Sequence, residues 1–139
     1  MAIEQNDYET FTILYNSNID IFYLVGFIYK FNRINFLEYI INDLKKKEDY
    51  IFSLNYGLYV AFENGYLNLF IYLGDRGAIL DETYFTKAIL NNRVDFAKYI
   101  MSKIKIGRNF VFFDNKYSFE ILDFLLTNDF VISLDNRYV

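Results

Sequence analysis

No cysteine, histidine, tryptophan or proline occurs among the 139 residues of this chain. Without cysteine there is no disulfide, no thiolate metal site and no thiol nucleophile. Without histidine the commonest general base and the commonest metal ligand are both missing. Without proline, helix ends must be set by Gly, Asn, Asp and Ser. Glycine is scarce too: the six residues are scattered, and none forms the GxGxxG or GxxxxGK[ST] loop that cradles a phosphate. Positive charge is short, with 14 Lys and Arg against 18 Asp and Glu, a net charge of -4. A phosphate-backbone binder usually carries a basic face, so no nucleic acid is expected as a partner. The one dense basic cluster, residues 45–47, runs straight into Glu48 and Asp49 and reads as a solvated helix end. Long apolar runs are absent as well. The longest, residues 21–29, is far below the ~20 residues that span a bilayer, so no membrane is expected. The opening "MAIEQNDYET" is acidic and polar, unlike a signal peptide. The expectation is an intracellular, cytoplasmic protein.

What the chain does have is apolar bulk. Hydrophobic residues make up 54% and aromatic residues 22%, which rules out a wholly disordered chain. One domain is the default for this length. With 16 Phe and 14 Tyr, some rings should reach the surface, where they make adhesive contacts.

These residues recur. "NRINFLEYI" (residues 32–40) aligns with "NRVDFAKYI" (92–100), "GYLNLFIYL" (65–73) falls between them, and "SFEILDFL" (118–125) follows the pattern more loosely. A first apolar position holds Ile34, Leu67, Val94 and Phe119, followed by polar Asn35, Asn68, Asp95 and Glu120. Next come Phe36, Leu69, Phe96 and Ile121, then the ring column Tyr39, Tyr72, Tyr99 and Phe124, then Ile40, Leu73, Ile100 and Leu125. The spacing i, i+2, i+5, i+6 predicts a helix with one buried stripe, and places the ring column in the core. Successive copies start 33, 27 and 25 residues apart, so the helix is kept while its connector shortens.

A further helix is predicted before each copy, over residues 20–31, 55–64, 82–91 and 109–115. Asp20 and Asp81 are candidate N-caps. Asn64-Gly65 and Asn91-Asn92 suit the turn into the second helix, since Gly and Asn tolerate positive φ. The unit is helix, tight turn, helix, connector, and neither helix can bury its stripe without neighbours. Residues 1–19 read as an N-terminal cap with a helix in "DYETFTILYN", 20–128 as the repeat array, and 129–139 as a C-terminal tail that starts apolar.

On these residues the chain resembles the ankyrin repeat, whose unit has about 33 residues. In "AFENGYLNLFIYLGDRGA" (61–78), Ala61, Gly65, Leu69, Phe70, Leu73, Gly77 and Ala78 fall at family positions, with Tyr66 in place of the usual His. "YGLYVA" keeps Leu58 and Ala61 of the opening motif, and "TYFTKA" keeps Thr83 and Ala88. The resemblance covers residues 20–128; Thr-Pro and the family His are absent, and the later connectors are short for a full β-hairpin finger. A divergent ankyrin array and another solenoid of helix pairs both fit, and the 33-residue spacing with the Gly65 and Gly77-Ala78 placement favours the first. The fold class expected is all-α, a helix-turn-helix solenoid of about four units with shortened connectors. The surplus of Asn, Ile, Lys, Phe and Tyr gives the texture of degenerate ankyrin arrays similar to those of large DNA viruses and some parasites or amoebae.

The resemblance implies that a protein partner is engaged by the exposed end of the first helix and the turn before it. By position these residues are Lys30, Phe31, Asn55, Glu63, Asn64, Glu82, Leu90, Asn91, Asn115 and Lys116. No catalytic, cofactor-binding or metal-binding set can be named, and no cofactor is expected. The carboxylate pairs Glu48-Asp49, Asp81-Glu82 and Asp129/Asp135 sit at presumed helix ends or in the tail, where capping explains them. Two functions follow as expectations: a non-enzymatic interaction module, or a structural protein that self-assembles, for which the aromatic surplus and apolar tail are the motive.

Overall fold

The computed structural model describes residues 1–16, 18–108 and 117–132. Among these residues there are eight helices and no strand, and the fold is all-α. The helices are α1 (Tyr8–Leu14), α2 (Ile21–Lys30), α3 (Ile34–Lys45), α4 (Tyr50–Asn64), α5 (Leu67–Asp75), α6 (Glu82–Leu90), α7 (Val94–Lys103) and α8 (Phe119–Thr127). The chain divides into two compact units, Met1–Ile79 and Leu80–Val139. The helix expected over 109–115 lies outside the described residues. Two expected helices prove longer: α3 runs on to Lys45, and α4 starts at Tyr50, five residues early.

Short polar side chains start the helices. Asp7 accepts from the Thr10 amide, Asp20 from Tyr23, Asp81 from Thr83 and Tyr84, and Ser118 from Ile121. Each such cap typically contributes about 1 kcal/mol by satisfying a first-turn amide. The turns inside the helix pairs α2–α3, α4–α5 and α6–α7 are built alike. Asn32, Gly65 and Asn92 take left-handed φ values of 56°, 72° and 56°. After each, the next amide reaches back to the first helix: Arg33 to the Ile28 carbonyl (3.0 Å), Tyr66 to Ala61 (2.8 Å) and Arg93 to Ala88 (2.8 Å). This closure uses carbonyls that a helix end would otherwise leave unpaired. Gly65 and Asn92 sit in the turns where the sequence places them; Asn32 is a third instance that the alignment left unmarked.

Two of the repeated columns are buried throughout. Phe36, Leu69, Phe96 and Ile121, and Ile40, Leu73, Ile100 and Leu125, are all at most 5% exposed. The ring column is not uniformly core, and that expectation is corrected here. Tyr72 and Phe124 are buried, but Tyr99 is half-buried and Tyr39 is 45% exposed. Helix geometry gives the reason. At about 100° per residue, positions i+2, i+3 and i+6 cluster on one side, while i and i+5 lie roughly 100° away from its centre. Those flanks are covered only where a neighbour reaches them. Phe119, in the first column, is correspondingly 84% exposed.

In the first unit, α2 packs on α3, α4 on α5, α2 on α4, and α1 on α3. The N-terminal segment is held by apolar and polar contacts together. Ile3 and Phe11 are buried, and the Phe11 ring meets Phe36 at 4.6 Å. Arg33 donates from Nε to the Ile3 carbonyl and from Nη2 to the Glu4 carbonyl, both at 2.8 Å. The exposed Tyr39 ring meets Tyr8, Phe11 and Tyr15 in T-shaped pairs. In the second unit, α7 packs on α6 and α8, and Phe130 at the start of the expected tail is buried, stacked on Phe85 at 5.3 Å.

At Gly57 the α2–α4 contact leaves no room for a side chain. A Cβ there would stand 2.6 Å from Tyr29 Cζ and 2.8 Å from Leu73 Cδ1. Tyr29 is fully buried, and its hydroxyl lies 3.3 Å from Ser53 Oγ. Burial pushes the Tyr29 phenol up to about 12, the Ser53 hydrogen bond opposing. Nearby, the Tyr50 and Tyr72 hydroxyls are buried without a hydrogen-bond partner among the described residues. Burial raises both phenols, against the Arg76 charge.

Two outcomes follow. Gly57→Ala gains about 1 kcal/mol of helix propensity but forces a clash costing about 1–3 kcal/mol, so thermal unfolding should show a net loss of stability, larger for Gly57→Val. A raised phenol favours the folded state below the ordinary value of about 10, and that contribution disappears as pH climbs through 12. Urea unfolding should therefore show stability falling between pH 9 and 11.5, with a fall smaller by up to about 2 kcal/mol in Tyr29→Phe. Equal falls in the two proteins would refute the assignment.

Candidate binding surface

The outward sides of α2 and α4 carry rings. Tyr23 on α2 is 65% exposed, and Phe52, Tyr56 and Tyr59 on α4 are 76%, 54% and 51% exposed. Helical spacing of three and four residues puts the α4 rings on one side of the helix. The Tyr66 hydroxyl donates to the Lys30 carbonyl at 3.0 Å, which sets the C-terminal ends of α2 and α4 side by side. A groove of about 300 Å³ runs between these helices, lined by Tyr23, Gly26, Phe27, Lys30, Tyr56 and Val60.

Gly26 is the unusual member. It lies inside α2 with no left-handed φ, and a Cβ added there meets nothing within 4 Å. A glycine in a helix interior costs about 1 kcal/mol relative to alanine. Neither backbone conformation nor packing requires it, in contrast to Gly57. Its effect is to leave the groove floor bare.

Of the residues singled out by sequence, Lys30 lines this groove, and its ammonium lies 5.4 Å from the Phe31 ring centroid. Glu63 and Asn64, both exposed, end α4, and Asn64 Nδ2 donates to the Val60 carbonyl. Asn55 Oδ1 accepts from the Ile79 amide at 2.8 Å and ties α4 to the chain beyond α5. In the second unit, Glu82 Oε1 accepts from the Gly107 amide, Asn91 Nδ2 donates to the Lys87 carbonyl, and Leu90 is 52% exposed. Asn115 and Lys116 lie outside the described residues. Of these residues only Lys30 lines the groove; Phe31 follows it at the end of α2, and Glu63 and Asn64 end α4. Sequence reasoning missed Tyr23, Gly26, Phe27, Tyr56 and Val60, although an unforced glycine among the rings of "FYLVGFIY" was a readable signal.

Two further hollows have other characters. One, of about 260 Å³, is walled by Met1, Ile3, Phe11, Leu14, Tyr15, Ile19 and Leu24. The other, of about 180 Å³ in the second unit, is lined by Lys98, Glu120, Asp123, Thr127 and neighbours. Among the described residues no group of three or more Asp and Glu is placed to hold a metal ion, and no helix is long and apolar enough to cross a membrane. Of the carboxylates paired in the sequence, Asp81 caps α6, Asp49 precedes α4, and Asp135 is outside the described residues. No family model, no curated protein and no solved structure matches the chain.

Proposed function

We propose that this chain is an ankyrin-like module of helix pairs that binds a protein partner along the α2–α4 face and catalyses no reaction. The observation that carries the proposal is the bare groove floor at Gly26, bordered by exposed rings. Tyrosine and phenylalanine give large contact area with few rotatable bonds, which is why binding surfaces use them. The like-built turns at Asn32, Gly65 and Asn92 support the repeat reading, and the tie from Tyr66 to Lys30 joins the turn of the second pair to the end of the first helix of the first.

A second reading, self-assembly, rests on Ile13 and Leu14 of α1. They are 74% and 65% exposed, beside the nearly apolar hollow walled by Ile3, Phe11 and Leu24. Sedimentation at high micromolar concentration separates the two readings, since a strict monomer excludes self-assembly.

The binding proposal is tested with the partner recovered by co-purification from the native source. Gly26→Gln fills the groove without touching the core and should weaken binding of that identified partner by about tenfold or more, near 1.4 kcal/mol. Gly26→Ala, with its Cβ in open space, should raise thermal stability by about 0.5–1 kcal/mol. Undiminished affinity in Gly26→Gln, with unchanged helical content, would remove this face from the function.

A further inference from the structure

Resting on the binding proposal, we infer that the groove takes a short segment of its partner bearing one bulky apolar side chain and one carboxylate about one helical turn apart. The apolar group sits over Gly26, where the Tyr23 and Phe27 rings stand on one side and Tyr56 and Val60 on the other. The carboxylate meets Lys30.

The charge pattern of the lining selects this chemistry. Lys30 is the one charged residue among those lining the groove, and no carboxylate lines it. Among the described residues Lys30 makes no ion pair; its ammonium has only the Phe31 ring, at 5.4 Å. The exposed phenols of Tyr23 and Tyr56 add hydroxyl donors beside it. A basic ligand would meet Lys30 with like charge and find no acid in the groove. The chain's net charge of -4 acts on an acidic segment here only through groups near the groove, because charges beyond about 8 Å are largely screened at physiological salt. Gly26 and Lys30 stand four residues apart on α2, about 6 Å along the axis. A matching ligand holds its two groups three or four residues apart on a helix, or two apart in an extended segment.

The experiment is a selection from a displayed library of random peptides against the whole chain, run in parallel on Gly26→Gln and Lys30→Glu. Because the chain has no tryptophan, Tyr56→Trp places a single fluorescent reporter in the groove for titrating each selected peptide. Peptides lost on Gly26→Gln should carry Asp or Glu at the stated spacing from a bulky apolar residue. Lys30→Glu should weaken them about tenfold and select Lys or Arg at that position instead. Groove-dependent peptides with no acidic preference, or binding indifferent to Lys30→Glu, overturn the ligand assignment and leave the binding face standing. An absence of any peptide sensitive to Gly26→Gln overturns both.

Discussion

The Tyr29 ring lies against the bare Cα of Gly57, and the separation of α2 from α4 follows from that contact. A side chain at residue 57 would push the helices apart, because a 2.6 Å approach to a buried ring leaves no slack. The Tyr29 hydroxyl then finds Ser53 one turn earlier on α4, and the Tyr66 hydroxyl closes the far end on the Lys30 carbonyl. The same two helices border the groove lined by Tyr23, Gly26, Phe27 and Tyr56. Gly57 and Gly26 thus have opposite roles one contact apart: the first lets two helices meet, and the second leaves space between them.

The repeat was legible because burial acts on the same columns each time. The positions of Phe36, Leu69, Phe96 and Ile121 were recognisable as core from spacing alone, and so were the caps at Asp20 and Asp81. The ring column was harder to read because it lies at the edge of the stripe. Tyr72 is covered, with the Arg76 guanidinium 3.3 Å from its ring centroid, whereas Tyr39 stays partly open among other rings. Periodicity reports the direction of a side chain but not whether a neighbour waits there.

The proposed binding face was legible only in part, for a related reason. Lys30, Glu63 and Asn64 follow from their places at helix ends. The groove needs two helices 30 residues apart in the chain, and no single window shows that Gly26 faces Tyr56 and Val60. Conversely, Asn55, Asn64, Glu82 and Asn91 look available because they are polar and near helix ends, yet each hydrogen-bonds the backbone of its own unit. Polar residues at such ends often complete the fold before they can serve a partner.

The shared turn at Asn32, Gly65 and Asn92 has an evolutionary consequence. Its closing bonds join backbone to backbone, so the turn asks for tolerance of left-handed φ at one position and for no particular side chain afterwards, where Arg and Tyr both occur. A helix pair closed this way carries its own punctuation with it. Copying, deleting or exchanging a whole pair preserves the turn intact, while a break inside a pair destroys it. The requirement that shapes the turn is therefore carried inside each pair, at one residue, and not by the connectors between pairs.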